Sequence, residues 1–231
     1  MRRLFIFLAL AATIVLAVAK PENVTEGELA LTPAYCPDTI GFKYGDAYSN
    51  TSPRAGHWVA MMGKNFWHMH HYCWALINIR RSQAAGVPPA TRKYLLENAV
   101  ADCSYVLINS TRDFVLLPEI YTRVGETQLM LSNPGQAYEA FSAARRIKPD
   151  YWPAYQRWAA VMIQSGQKAE AKKLVAEGLR HAPDAKPLID QYRQLGGNPA
   201  DILPSMKEPP SPVDSGNAAP PAASAASATS S

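Results

Sequence analysis

Much of the chemistry that short motifs announce is missing from this chain. It has no G-x-S-x-G, no H-E-x-x-H and no Gly-rich phosphate loop. The local signatures of serine hydrolases, zinc peptidases and nucleotide-binding enzymes are therefore absent. Its 3 cysteines include no C-x-x-C, the motif of thioredoxin-type exchange and of c-type haem attachment. Charged residues make up only 18% of the 231, with a formal net charge of +4, and the basic ones come as scattered pairs such as Arg80-Arg81 and Lys172-Lys173. Without a basic patch interleaved with aromatics, no nucleic-acid partner is expected. Nothing positive points to catalysis, and the chain reads as a non-enzyme.

Long apolar runs are scarce as well. The one present, Leu4 to Leu16, is broken only by Thr13, follows Met1-Arg2-Arg3 and precedes Ala17-Val18-Ala19. A basic start, a short apolar stretch and a small-x-small site are the parts of a secretory signal. As a helix, about 16 residues would span about 24 Å, short of a typical membrane core. Residues 1–19 therefore read as a cleaved signal peptide. Retention of residues 4–19 as a membrane anchor is the other reading, and the only one that gives the chain a membrane contact. Both place the protein outside the cytoplasm, with a bacterial periplasm expected.

What the chain does have is repetition. Tyr121, Arg123, Ala137, Arg146, Pro149 and Asp150 recur 34 residues later as Tyr155, Arg157, Ala171, Arg180, Pro183 and Asp184. A fixed period of this size is the mark of a repeat architecture. Each unit carries two apolar-periodic runs: Glu119–Leu131 and Gln136–Ile147, then Pro153–Gln164 and Lys168–His181. Ser132-Asn133-Pro134-Gly135 and Ser165-Gly166 interrupt them, because Pro and Gly end helices for opposite backbone reasons. Two helical hairpins are predicted.

These residues resemble the tetratricopeptide repeat family, whose pattern is W-x2-L-G-x2-Y, then A-x3-F, then P. Tyr121, Val124 and Gly125 stand at the W, L and G positions, followed by Ala137, Phe141, Ala144 and Pro149. The second unit offers Tyr155, Trp158 and Ala159, then Ala171, Val175, Gly178 and Pro183. Gln128 and Met162 depart from the family's Tyr, and Ala159 from its Gly. The resemblance implies an all-α helical-hairpin solenoid whose first helices line a concave groove. Carried over residue by residue, Glu119, Thr122, Glu126 and Leu129 would face that groove, with Gln156, Ala160 and Ile163 from the next unit.

Around this centre the chain divides by composition. Residues 20–56, rich in proline, read as an extended arm lying over the helices. Residues 57–117 read as a long hairpin, His57–Gln83 and Thr91–Ile108, forming a degenerate first repeat with a break expected near Gly63. Residues 118–197 hold the two repeats and a capping helix from Lys186 to Leu195. Residues 198–231, mostly Pro, Ala and Ser, cannot bury enough apolar surface to fold and are expected to be disordered.

Candidate chemistry is confined to Phe66–Trp74. His68, His70, His71 and Cys73 fall there, with His68/His71 and His70/Cys73 each one helical turn apart. As metal ligands they would favour copper or zinc, with further ligands needed from Cys36, Cys103 or Asp102. The bland reading is that these histidines fill a core, one ring nitrogen bonded to a carbonyl. Asp102, Glu97 or Glu119 could instead pair with a histidine across the fold. Of the cysteines, Cys36 with Cys73 is the preferred pair and would pin the arm to the first hairpin, while Cys73 with Cys103 would join two helices. Three buried thiols are the remaining option. Two functional readings follow: an exported adaptor without cofactor that binds an envelope protein or peptide, or a periplasmic metal or redox protein centred on His68–Cys73.

Overall fold

The computed structural model describes residues 20–43 and 52–202 of the protein. The candidate signal at residues 1–19 and the segment from residue 203 onward lie outside the described residues. Within them the helices are α1 (Glu26–Ala30), α2 (Ala55–Met62), α3 (Met69–Ser82), α4 (Pro89–Asn109) and α5 (Leu117–Met130). They continue as α6 (Pro134–Ile147), α7 (Trp152–Gln164), α8 (Lys168–His181) and α9 (Lys186–Gln194). No strand occurs among the described residues, and no helix there is long and apolar enough to cross a membrane.

Proline sets most of the helix starts. Pro89, Pro118, Pro134, Pro153 and Pro187 occupy the first turns of α4, α5, α6, α7 and α9. A missing N–H costs nothing there, and the fixed φ suits a helix. The two hairpin turns are copies of one another. Ser132 (φ 61°) and Gly166 (φ 79°) both turn left-handed. Directly after them, Asn133 N–H reaches the Gln128 carbonyl and Gln167 N–H the Met162 carbonyl, each at 2.8 Å. This is the six-residue closure of a left-handed helix cap.

Small residues let the paired helices touch. A β-carbon at Gly125 would meet the Phe141 ring, and one at Gly178 would meet Tyr155 and Leu188. Ala137, Phe141, Ala144 and Ala154 form the seam of the first repeat. Trp158 of α7 reaches back to Phe141 and Tyr138, ring centroids 5.7 Å apart in both cases. That aromatic contact joins one hairpin to the next. Tyr155, Val175, Leu179, Leu188 and Tyr192 form the core of the second repeat and the α9 cap.

The expected break near Gly63 divides His57–Gln83 into α2, a 3-10 turn and α3. At Gly63 (φ 59°, ψ −150°) the backbone takes a conformation that a side chain would oppose. Residues Gly63–His68 then run as a 3-10 turn before α3 begins at Met69. The C-terminal boundary shifts. Pro199–Asp201 form a 3-10 turn, and Ile202 packs on the α8–α9 core, so folded chain runs past residue 198.

The N-terminal arm lies against α3. Cys36 and Cys73 are disulfide-bonded, with α-carbons 5.7 Å apart. Cys103 is a buried free thiol, which burial holds protonated. Asp38, buried beside Cys36, accepts hydrogen bonds from Ser52 (2.6 Å) and Trp58 (2.7 Å) and pairs with Arg54 at 2.7 Å. Arg81 clamps Glu28 and donates to the carbonyls of Glu22 and Asn23. Hydrogen bonding to Arg81 draws the Glu28 carboxyl down to about 2.

Candidate functional site

The first helices of successive hairpins form one inner row. α5 touches α7, and α7 touches α9. α3 joins the row beside α5, through Tyr72–Glu119 at one end and Gln83–Met130 at the other. The row is therefore α3, α5, α7, α9, with α4, α6 and α8 behind it.

A polar line crosses this row. The Tyr72 hydroxyl donates to Glu119 at 2.8 Å. Burial keeps that phenol protonated far above its ordinary range, so it acts as a donor. Glu126 takes two arginines at once: Arg123 from its own helix at 2.7 Å and Arg157 from α7 at 2.9 Å. The shared carboxylate is a strut between consecutive hairpins. Exposed ion pairs contribute little to stability one by one, so its effect is mainly to fix side-chain positions.

The seven residues carried over from the family pattern fall in different places. Glu119 and Glu126 lie on the line, each already holding a partner inside the molecule. Thr122 is a correction: it is buried, and its hydroxyl has no partner and no open face. Leu129 packs against the Ala137–Phe141 seam, and Ile163 against the second-repeat core, both half-buried. Ala160 is half-buried, while the Gln156 carbonyl accepts from Gln191 of the α9 cap at 3.2 Å. The residues overlooked are Arg123 and Arg157. Their signal was available, since they are one of the pairs that recur at the 34-residue offset.

The arm supplies a wall to this face. Leu31 and Pro33 stand across from Leu76 and Ile79 of α3, with Arg80, Glu119 and Arg123 around them, and enclose a cleft of about 410 Å³. Leu31 is 61% exposed, unusual for a leucine beside apolar neighbours. Arg80 holds this wall by donating to the Leu31 carbonyl at 3.0 Å.

The histidine segment has a different character. Cys73 is consumed by the disulfide, so it leaves the candidate ligand set as a correction. His68 sits on the 3-10 turn rather than on α3, which removes the helical spacing assumed for His68 and His71. His70 Nδ1 donates to the Trp67 carbonyl at 3.0 Å. His71 Nδ1 lies 2.7 Å from Asp102 Oδ1, in a buried contact between α3 and α4. Burial lowers both His70 and His71 to about 4 and raises Asp102 to about 8. The His71–Asp102 pair thus holds one proton between them at neutral pH. Among the described residues, no group of three or more His, Cys, Asp or Glu is placed to hold a metal ion.

No curated protein and no solved structure matches the chain. The tetratricopeptide repeat family model matches residues 129–191, which covers the end of α5, all of α6, α7 and α8, and most of α9. A scaffold for protein–protein interaction is what such repeats supply. Over residues 129–191 the helical hairpins are of the tetratricopeptide repeat type.

Proposed function

We propose that this protein is an exported adaptor whose inner row holds a segment of another protein of the cell envelope. The observation that carries this reading is the line Glu119, Arg123, Glu126 and Arg157. On the face where the first helices converge, Glu119 is bonded to Tyr72 of α3, and Glu126 joins Arg123 of α5 to Arg157 of α7. A segment lying along the row would have its direction fixed by these fixed charges and its apolar side chains received between helices. The address at residues 1–19 supports export. So does the Cys36–Cys73 bond, since disulfides persist in oxidising compartments. No cofactor enters this reading. In the copper or zinc alternative Cys73 is not a ligand, since it is bonded to Cys36.

A photo-crosslinking residue placed at Gln156 in living cells tests the inner row. The expected result is one discrete crosslinked partner, lost when Glu126 is changed to Ala. Crosslinks formed equally well from Glu139 on α6 would refute the inner-row assignment. Sequencing the N-terminus of protein from the periplasmic fraction tests the address, with Lys20 expected as the first residue. A full-length chain confined to the cytosol would end the export reading.

A further inference from the structure

His70 and His71 of α3 take no part in the inner row. At about 100° per residue, His70 and Trp74 fall on the side of α3 opposite Tyr72, Leu76 and Ile79. His71 turns toward α4. Each ring has one nitrogen tied to the protein. His70 Nδ1–H donates to the Trp67 carbonyl at 3.0 Å, which leaves the lone pair of this imidazole on Nε2. His71 Nδ1 is held by Asp102 at 2.7 Å, and Asp102 is itself fully buried. Neither Nε2 has a partner in the protein, and neither is among the buried polar atoms, so solvent reaches both. An imidazole that only fills a core would bury this second nitrogen as well.

The two rings are also close together and braced. Their centroids lie 4.3 Å apart. Two imidazoles bound to one ion at a right angle, through metal–nitrogen bonds of about 2.0 Å, would place their centroids about 4.5 Å apart. Trp74 packs edge-on against His70 at 4.8 Å and against His71 at 4.7 Å. Tyr105 of α4 lies on His71 at 3.9 Å, while His68 lies against Tyr105 instead, with centroids 5.8 Å apart. A carboxylate or carbonyl on the far nitrogen is what fixes tautomer and ring direction in metal-binding histidines. Both rings have one.

We infer that His70 and His71 chelate one divalent copper ion through their Nε2 atoms, with Asp102 and the Trp67 carbonyl aiming the two rings. Among the described residues no third protein group completes the set, so water fills the remaining positions. Imidazole suits copper and zinc alike, and between the two the same nitrogen ligands hold copper more tightly. The site does not rest on the adaptor reading. It lies on the other side of α3 from the inner row, so copper binding and partner capture can fail separately.

The test is titration of the untagged, oxidised protein with copper(II), followed by tryptophan fluorescence and electron paramagnetic resonance. One ion per chain is expected, with hyperfine coupling to two nitrogens and with quenching that is largely lost in Trp74→Phe. His70→Ala, a change at a partly exposed position, should weaken binding at least tenfold. Asp102→Asn should weaken it by about tenfold without touching the ion, because the His71 ring loses its carboxylate. His57→Ala and His68→Ala should leave it unchanged, and circular dichroism checks that each variant is folded. Binding that survives His70→Ala, or that involves a single nitrogen and ignores Asp102→Asn, marks an adventitious ion only and overturns the inference. Binding lost in His68→Ala overturns the pair as the chelate. Absence of saturable binding overturns the site altogether and leaves the adaptor reading as it stands.

Discussion

Gly125 lies so close to the Phe141 ring that a β-carbon added there would stand 2.8 Å from Cε2. The two residues face each other between α5 and α6, and both are buried. Gly125→Ala should therefore destabilise the protein by about 1–3 kcal/mol, the range for overpacked cores. Urea unfolding of Gly125→Ala and of a Gly125→Ala, Phe141→Leu double variant checks this. The smaller side chain at residue 141 should restore part of the loss, and no restoration would mean the cost lies elsewhere.

At the hairpin turns the same backbone shape is met by serine in one repeat and glycine in the other. Ser132 carries a φ of 61°, which costs a residue with a β-carbon about 1–2 kcal/mol. Ser132→Gly removes that strain but adds unfolded-state freedom worth about 0.4–1 kcal/mol. The net expectation is stabilisation of about 0.5–1 kcal/mol. Gly166→Ser should destabilise by a similar amount. Equal and opposite shifts in denaturation midpoint would show that the two turns are energetically interchangeable.

The His71–Asp102 pair makes stability depend on pH in a defined window. Folded, the pair keeps one proton from about 4 to about 8, burial having lowered the imidazole and raised the carboxyl. Unfolded, Asp102 has lost its proton above its ordinary 3.8, and His71 keeps one until 6.5. Both states then hold one proton between about pH 4.5 and 6, and the pair contributes no slope there. Above the unfolded imidazole's range only the folded pair keeps it, so stability falls as pH rises towards 8. Unfolding in urea at pH 6 and 8.5 measures the drop, and Asp102→Asn should flatten it. A variant that keeps the full drop would place its origin in other groups.

Reduction of the single disulfide should also be felt. Cys36 and Cys73 close a loop with a sequence separation of 37 residues. In the chain-entropy model such a bond is worth about 3–4 kcal/mol. Denaturation with and without a reductant, or with Cys36→Ser, reads this directly. Loss below about 1 kcal/mol would mean that the arm contributes little to the folded core.

The repeated hairpins were legible because their signals are local. Tyr121 and Tyr155, the prolines at 134 and 153, and the turn residues at 132 and 166 act within one helical turn of where they stand. The break at Gly63 was legible in place but not in extent, since nothing before Met69 marks the end of the 3-10 turn. The polar line was half-read. Indexing the family pattern on Tyr121 selects Glu119, Thr122 and Glu126, but the rotation of α5 buries Thr122 and turns Arg123 into the row. The His71–Asp102 contact was named only as one of several pairings. Its partners are 31 residues apart, and which carboxylate meets which imidazole depends on how α3 and α4 are rotated against each other.

The bond from Cys36 to Cys73 has a topological consequence as well. Any backbone cut between those two residues leaves both fragments covalently joined. A protease-nicked molecule would migrate as one species on a non-reducing gel and separate into two pieces only after thiol treatment.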